Sequence, residues 1–461
     1  MFALHTAMYM VFKKITIADR ELIERYVANV GEHNCETAYI NLLIWQDLYG
    51  VSFYTEENAL LIKSSHAGEE VFALPFGDLG KGMERILAYT GDKLPVFRAQ
   101  EGPRLDRFAR KMGAQYDIVA LSEDADYIYR KDDLAGLAGK KYHAKRNHIA
   151  AFSRQFDWNY EPIDVRNLAD VQACADRWYA ENADRLTPEL IAEREGIQVL
   201  FAHFDTLGLL GGAIRAEGNI VAFCMASYLN DNVVDVHVEK ALAAYEGAYA
   251  VVNNQFAKRL SDAVQYINRE DDMGLEGLRK AKLSYHPVKL LKKYLCLPRD
   301  PSDEVRNIYT EAFGSSPFFD GLFFHTYRNA VRTLAIGGKT VSVLFLLPCS
   351  ANGRDCYYLY AAATASAERG KGYMSQLMRE VIDSTDAPIF LKPATDDLIP
   401  FYSKLGFYLV KGVKEGGDVK VAVSDEHKRL SAMCDDCPDT FSLMCSMDTM
   451  GKSIEFPYIM Q

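Results

Sequence analysis

The chain has 461 residues, of which 49% are apolar and 25% charged, and its formal net charge is −11. That length exceeds a single compact core, the composition excludes a disordered or low-complexity chain, and the acidic balance excludes unspecific coating of nucleic acid. The longest apolar run, TVSVLFLL at 340–347, falls far short of the ~20 residues a membrane-spanning helix needs.

Nine scattered cysteines without an export signal point to reduced thiols, so the expected location is cytoplasmic. Residues 1–9 read as an extension ahead of the first element. Residues 18–30 predict a helix with Ile23, Tyr26 and Val27 on one face. Residues 51–54 and 60–63 predict strands around a turn at 55–58, and 117–121 predicts another strand. A soft boundary falls at 126–139. Residues 167–182 predict a helix, and 209–216 with 219–229 predict a hairpin across Glu217-Gly218. Strands follow at 233–238 and 263–267. Residues 287–294 read as helical. Two prolines, Pro298 and Pro301, then separate them from a new helix at 303–313, which puts a domain junction at 297–302. Residues 333–336, 340–347 and 356–363 predict three consecutive strands, the first two joined by Gly337-Gly338-Lys339.

The sharpest motif starts in that third strand. It runs into Glu368-Arg369-Gly370-Lys371-Gly372-Tyr373-Met374 and then into a helix carrying Met374, Leu377, Met378, Val381 and Ile382 on one face. Glycines at 370 and 372 allow a tight turn, the first helical amides point at one spot, and Arg369 and Lys371 add positive charge. This is a candidate pyrophosphate site. It is neither a Walker A loop, because Tyr373 follows Gly372, nor a dinucleotide fingerprint, because position 375 is serine. An ordinary glycine-containing turn is the bland alternative. Next come a strand at 388–391, a helix from 397 that ends at Gly406, and Phe401-Tyr402-Ser403-Lys404-Leu405-Gly406-Phe407.

With these residues the C-terminal third resembles the GNAT N-acetyltransferase superfamily. Arg369 and Gly372 match its pyrophosphate loop, Tyr402 matches its tyrosine before Gly-Phe, and Met374 stands where the family has Gly or Ala. The resemblance implies acetyl-CoA as co-substrate and direct attack by an amine on the acyl carbonyl. It implies cofactor contacts from Ala361, Ala363, Arg369, Gly370, Lys371, Gly372, Tyr373 and Met374, and Tyr402 as the acid on the leaving thiolate. Glu311 and Asp320 are candidate bases, with solvated surface carboxylates as the alternative.

Further upstream, GKKYHAKRN at 139–147, VHVEKALAAYEG at 236–247 and YINREDDMGLEGLRKAKLSYHP at 266–287 resemble a bacterial family related to the C-terminal domain of phosphatidylglycerol lysyltransferases. That resemblance implies two fused GNAT-like modules. The expected fold class is therefore α/β (α+β): tandem GNAT-like acyltransferase modules at 12–138, 139–298 and 303–461, with mixed central sheets flanked by helices.

The expected function is an acyl-CoA-dependent N-acyltransferase acting on a small-molecule or peptide amine. One alternative is an aminoacyl-tRNA-dependent transferase, with Lys140, Lys141, Lys145 and Arg146 as the tRNA contact. Another is a non-catalytic metabolite-binding protein. His237 and Glu239 form a candidate acid–base pair or a structural pair. Asn268, Glu270, Asp271 and Asp272, with Arg279, Lys280 and Lys282, either hold a zwitterionic group or pair with each other. The Cys434-x-x-Cys437 spacing fits no common zinc pattern, so no metal is expected.

Overall fold

A computed structural model describes residues 10–27, 34–56, 58–66, 68–91, 93–300, 302–315, 317–351, 354–391, 393–409, 421–422 and 444–446. Residues 1–9, Cys434 and Cys437 lie outside these. The chain divides into two compact units, Met1–Gly113 with Ala120–Cys296 and Ala114–Val119 with Leu297–Gln461.

The larger sheet has twelve strands. In chain order they are β1 (Ser52–Glu56), β2 (Ala59–His66), β3 (Glu69–Ala73), β4 (Phe76–Gly77), β5 (Val96–Gln100), β6 (Tyr116–Arg130), β7 (Trp158–Pro162), β8 (Leu210–Ala216), β9 (Asn219–Asn230), β10 (Val233–Ala241), β11 (Tyr266–Asn268) and β12 (Lys289–Pro298). Their order across the sheet is β1-β2-β3-β5-β12-β6-β11-β10-β9-β8-β7, with β4 beside β2. The β3–β5 and β10–β11 pairs are parallel, and the β8–β9–β10 run is an antiparallel meander.

Side-chain alternation divides the core between the two faces of this sheet. Phe223 and Met225 join one buried cluster with Val171, Ile197 and Leu200, while Ala222, Cys224 and Ala226 join another with Phe152, Val251 and Val252. Helices Leu168–Glu181 and Pro188–Ala202 cover the first face, and helices His143–Gln155 and Ala248–Arg259 the second. Covered on both sides, β9 is apolar at nearly every position.

The smaller sheet has seven strands: β13 (Val331–Ile336), β14 (Lys339–Ala351), β15 (Arg354–Thr364), β16 (Ile389–Leu391), β17 (Phe407–Leu409), β18 (Val421–Ala422) and β19 (Met444–Ser446). The first three form an antiparallel meander, and β15 pairs with β16 in parallel. The protein is thus a mixed α/β molecule with mixed sheets flanked by helices.

Most elements lie where the sequence puts them. The Glu217-Gly218 turn has φ of 51° and 81°, and Gly337-Gly338 has 61° and 82°, the left-handed pairs that tight hairpins require. Lys339 already pairs with Ile336, so that turn is two residues long. The N-terminal helix is Arg20–Val27, entered through a 3-10 turn at Ile17–Asp19. One element changes type. Residues 287–294 are not helical, because 289 onward is β12, a central strand. Leu291 and Lys293 both point inward, and a buried lysine in an inward position hid the strand alternation. The soft boundary at 126–139 runs through the end of β6 and the helix Lys131–Gly136.

Candidate functional sites

In the second unit, β15 carries a bulge. Val343 pairs with Ala363 and Phe345 with Tyr360, so β15 fits three steps against two of β14, and Ala361 takes φ of 52°. Beyond Tyr357 and Tyr358 no described residue of β15 pairs with β16, although β15 continues to Thr364. Backbone donors and acceptors along Ala361 to Ala363 therefore face that side without a β16 partner.

The strand leaves through a 3-10 turn at Ser366–Glu368 into Gly370 (φ 77°) and Gly372 (φ 83°), both left-handed. A Cβ built on either glycine would meet nothing within 4 Å, so the space above the loop is open. Gly372 is the N-cap of helix Tyr373–Asp383, no side chain caps the helix, and no acidic residue sits in its first turn. Its leading amides are left for an anion. Arg369 donates through Nε to the Thr364 carbonyl at 3.1 Å, and Lys371 pairs with Glu368 at 2.7 Å. Tyr373 and Met374 pack on the apolar core that also holds Tyr402, so the methionine is turned to the core. Tyr402 is buried, and burial raises its phenol above the usual range and keeps it protonated. Glu311 accepts the Ser366 amide at 3.0 Å, which lowers its carboxyl and ties the preceding helix to the loop. Asp320 is buried and accepts from Ser315 at 2.9 Å.

The first unit holds a different kind of centre. Lys293, fully buried on β12, lies 2.7 Å from Asp126 on β6, 3.2 Å from Glu36 and 3.2 Å from Asp271. Asp126 also accepts from the Cys35 amide at 3.0 Å and from Asn268 at 2.9 Å. Burial disfavours the Lys293 charge, yet Asp126 and the other carboxylates hold its pKa well above the usual range. Burial, reinforced by Asp126, pushes the Cys35 thiol up, so this cysteine is no ready nucleophile.

Beside this group, His237 Nε2 is 2.8 Å from Ser227 Oγ. Its Nδ1 is 3.1 Å from Asn41 Oδ1 and 3.3 Å from Glu270 Oε1. Asp235, fully buried, is raised well above the carboxylate range by burial and then by Glu270 and Asp126. A cleft of about 570 Å³ lined by Tyr39, Ile40, Ser227 and Tyr228 opens next to Ser227.

The structure separates His237 from Glu239. The β10 register shifts between Val236 and Val238, and Glu239 binds Arg269 at 3.0 Å instead. The acidic run divides similarly. Asp272 pairs with Arg279 at 2.8 Å, Asp271 with Lys293, and Glu270 with His237, while Lys282 donates to the Arg269 carbonyl at 2.6 Å. In the basic cluster, Arg146 donates to the Leu137 and Gly139 carbonyls, Lys141 reaches Asp133 at 3.5 Å, and Lys145 sits 3.9 Å from the Tyr285 ring centroid. Burial, then Arg269, lowers Lys145 to about 8. Lys140 is exposed. Sequence reasoning missed Asp126, Asp235 and Lys293. Their one signal is a charged residue at a buried position of a strand, and on β6 and β12 it is hidden by neighbouring charges such as Asp124 and Lys292.

Residues 27–297 match the family model for the phosphatidylglycerol lysyltransferase C-terminal domain, and residues 302–407 match the acetyltransferase (GNAT) family. A crystal structure of a conserved protein of unknown function from Bacteroides thetaiotaomicron is 33% identical, with a TM-score of 0.59, over 63% of this chain and 100% of that one. The L-PGS structure from Bacillus licheniformis is 17% identical with a TM-score of 0.43, over 65% of this chain and 98% of that one. An uncharacterized protein of Mycoplasmoides gallisepticum is 25% identical over 190 residues, 40% of this chain and 59% of that protein. The chain therefore spans somewhat over half the length of this curated relative. The first family match covers more than half of the 461 residues, and the chain belongs to the phosphatidylglycerol lysyltransferase C-terminal family. No helix among the described residues is long and apolar enough to cross a membrane.

Proposed function

We propose that residues 303–461 form an acyl-CoA-dependent N-acyltransferase that acetylates an amine of a small molecule or peptide. The observation that carries this reading is the left-handed Gly370/Gly372 loop. It delivers an uncapped, acid-free helix start directly after the bulged end of β15. The diphosphate of coenzyme A would lie on the amides of Gly370 through Met374, with Arg369 and Lys371 supplying charge. The β16-facing backbone groups along Ala361 to Ala363 would hold the pantetheine arm and polarise the acyl carbonyl. The amine nitrogen bonds to the carbonyl carbon and the carbon–sulfur bond breaks. Tyr402, held protonated by burial, gives its proton to the departing sulfur, and the proton shed by the amine restores the phenol through solvent.

Calorimetry of the full chain with acetyl-CoA tests the proposal. Saturable binding is expected, weakened at least about 10-fold in Gly372→Val, whose branched side chain cannot adopt the left-handed turn. Absence of binding, or binding unchanged in the variant, overturns it.

A second reading rests on the charged centre of the first unit. There, residues 12–138 and 139–298 would act as two GNAT-like halves that move an aminoacyl group from tRNA. The internal partners of Lys141, Lys145 and Arg146 leave little of the basic cluster for phosphate. Transfer of radiolabel from charged tRNA, lost on neutralising Lys140, Lys141, Lys145 and Arg146, is the result that favours this reading.

A further inference from the structure

We propose that Asp235, His237 and Glu270 form a site for one divalent transition-metal ion. Their ligand atoms lie within 4.8 Å of one another. His237 Nδ1 is 3.3 Å from Glu270 Oε1 and 3.5 Å from Asp235 Oδ2. An ion held tetrahedrally at ~2.1 Å needs its donors ~3.4 Å apart, so two of the three edges are already at ligand spacing.

The second observation is Asp235 itself. Its side chain is fully buried, and neither carboxyl oxygen has a hydrogen-bond partner. A buried acceptor in that state calls for a cation or a proton. Among the described residues no lysine or arginine nitrogen lies within 4.0 Å of Asp235 or Glu270. The nearby Lys293 is taken up by Asp126, Glu36 and Asp271. Two carboxylates thus face one imidazole with no ammonium or guanidinium in ion-pair contact, and Lys293 and Lys282 act on them only at longer range.

The surroundings fit a ligating imidazole. Asp235 and His237, two residues apart on β10, share one face, and Ser227 Oγ fixes the ring from its far nitrogen at 2.8 Å. When Nδ1 takes the ion, its proton moves to Nε2, where Ser227 Oγ accepts it. Asn41 Nδ2 donates to Glu270 Oε1 at 2.8 Å and orients that carboxylate. The Glu270 side chain is 22% exposed, which gives an ion an entry path. Mixed oxygen and nitrogen donors select manganese, cobalt or zinc over magnesium or calcium.

The test uses the full-length protein stripped with chelator. Manganese is the first probe, because its weak affinity for thiolates keeps it off the nine cysteines. Titration followed by electron paramagnetic resonance should show one tight Mn2+ per chain. Co2+ should give visible d–d bands of a low-coordinate nitrogen-ligated site. His237→Ala is expected to weaken uptake at least about 100-fold and to remove those bands, and Ser227→Ala to weaken it about 10-fold. Glu270→Gln, at the partly exposed edge, supplies a variant whose folding circular dichroism can verify, and it too should lose uptake. The proposal fails if the wild type takes up no stoichiometric ion, as it would if the carboxylates hold an ammonium group or a proton. It fails equally if uptake is unaltered in folded His237→Ala and Glu270→Gln.

Discussion

The two polar centres of this protein are built from opposite materials. The loop after β15 works through main-chain amides, is exposed, and comes from one contiguous stretch ending at Met374. The centre around Lys293 works through side chains, is buried, and draws Glu36, Asp126, Asp271 and Lys293 from far-separated positions. A main-chain site needs only the right φ angles and open space. A buried ionic site needs every partner present, because each uncompensated charge is penalised by low dielectric.

That contrast predicts where substitutions hurt. Lys293→Met should show the largest effect, since it strands Asp126 and its neighbours without a cation. A loss of about 3–5 kcal/mol in urea unfolding is expected, partly recovered by adding Asp126→Asn. A neutral Lys293→Met would erase the distinction between the two centres. Tyr402→Phe should leave unfolding nearly unchanged and lower kcat about 10²-fold while the affinity for acetyl-CoA stays put. Single-turnover measurement separates the two, and loss of affinity in place of rate would give Tyr402 a binding role.

Acid sensitivity sharpens the comparison further. Burial alone would raise the Glu36 carboxyl, but Arg98 and Lys293 outweigh it and hold it at about 2. The native state keeps this group ionised where the unfolded chain protonates, so its stabilisation is complete above an unfolded value of 4.5 and fades as pH falls towards about 2. Arg98→Gln should therefore move the acid-unfolding midpoint upward in a circular dichroism titration, and an unmoved midpoint would contradict the pairing. The smallest effect concerns Lys145. With its amine lowered to about 8, it sheds a proton that the unfolded chain keeps, so stability should rise slightly between about 8 and the ordinary lysine value of 10.5. Amine-reactive labelling followed by mass spectrometry should show a Lys145 midpoint near 8 that rises in Arg269→Gln.

How much of this was legible in the sequence follows from the same contrast. Glu217-Gly218 and Gly337-Gly338 announced their hairpins because turn chemistry is local. Gly370, Gly372 and the amphipathic helix with Leu377, Met378 and Val381 announced the loop for the same reason. The helix expected at 287–294 became β12 because Lys293 occupies an inward position where the alternation calls for an apolar residue. His237 was picked out by its type, yet its partner was misread. Strand spacing pointed to Glu239, whereas the bulge and the long-range return of β11 supply Glu270.

By itself the sequence determined the α/β class, the hairpin turns and the glycine loop, since composition and left-handed turns act over a few residues. Only the tertiary structure decided which carboxylate meets which cation. β6 lies far ahead of β10, β11 and β12 in the chain yet sits between β12 and β11 in the sheet, and buried charges are satisfied by closeness in space.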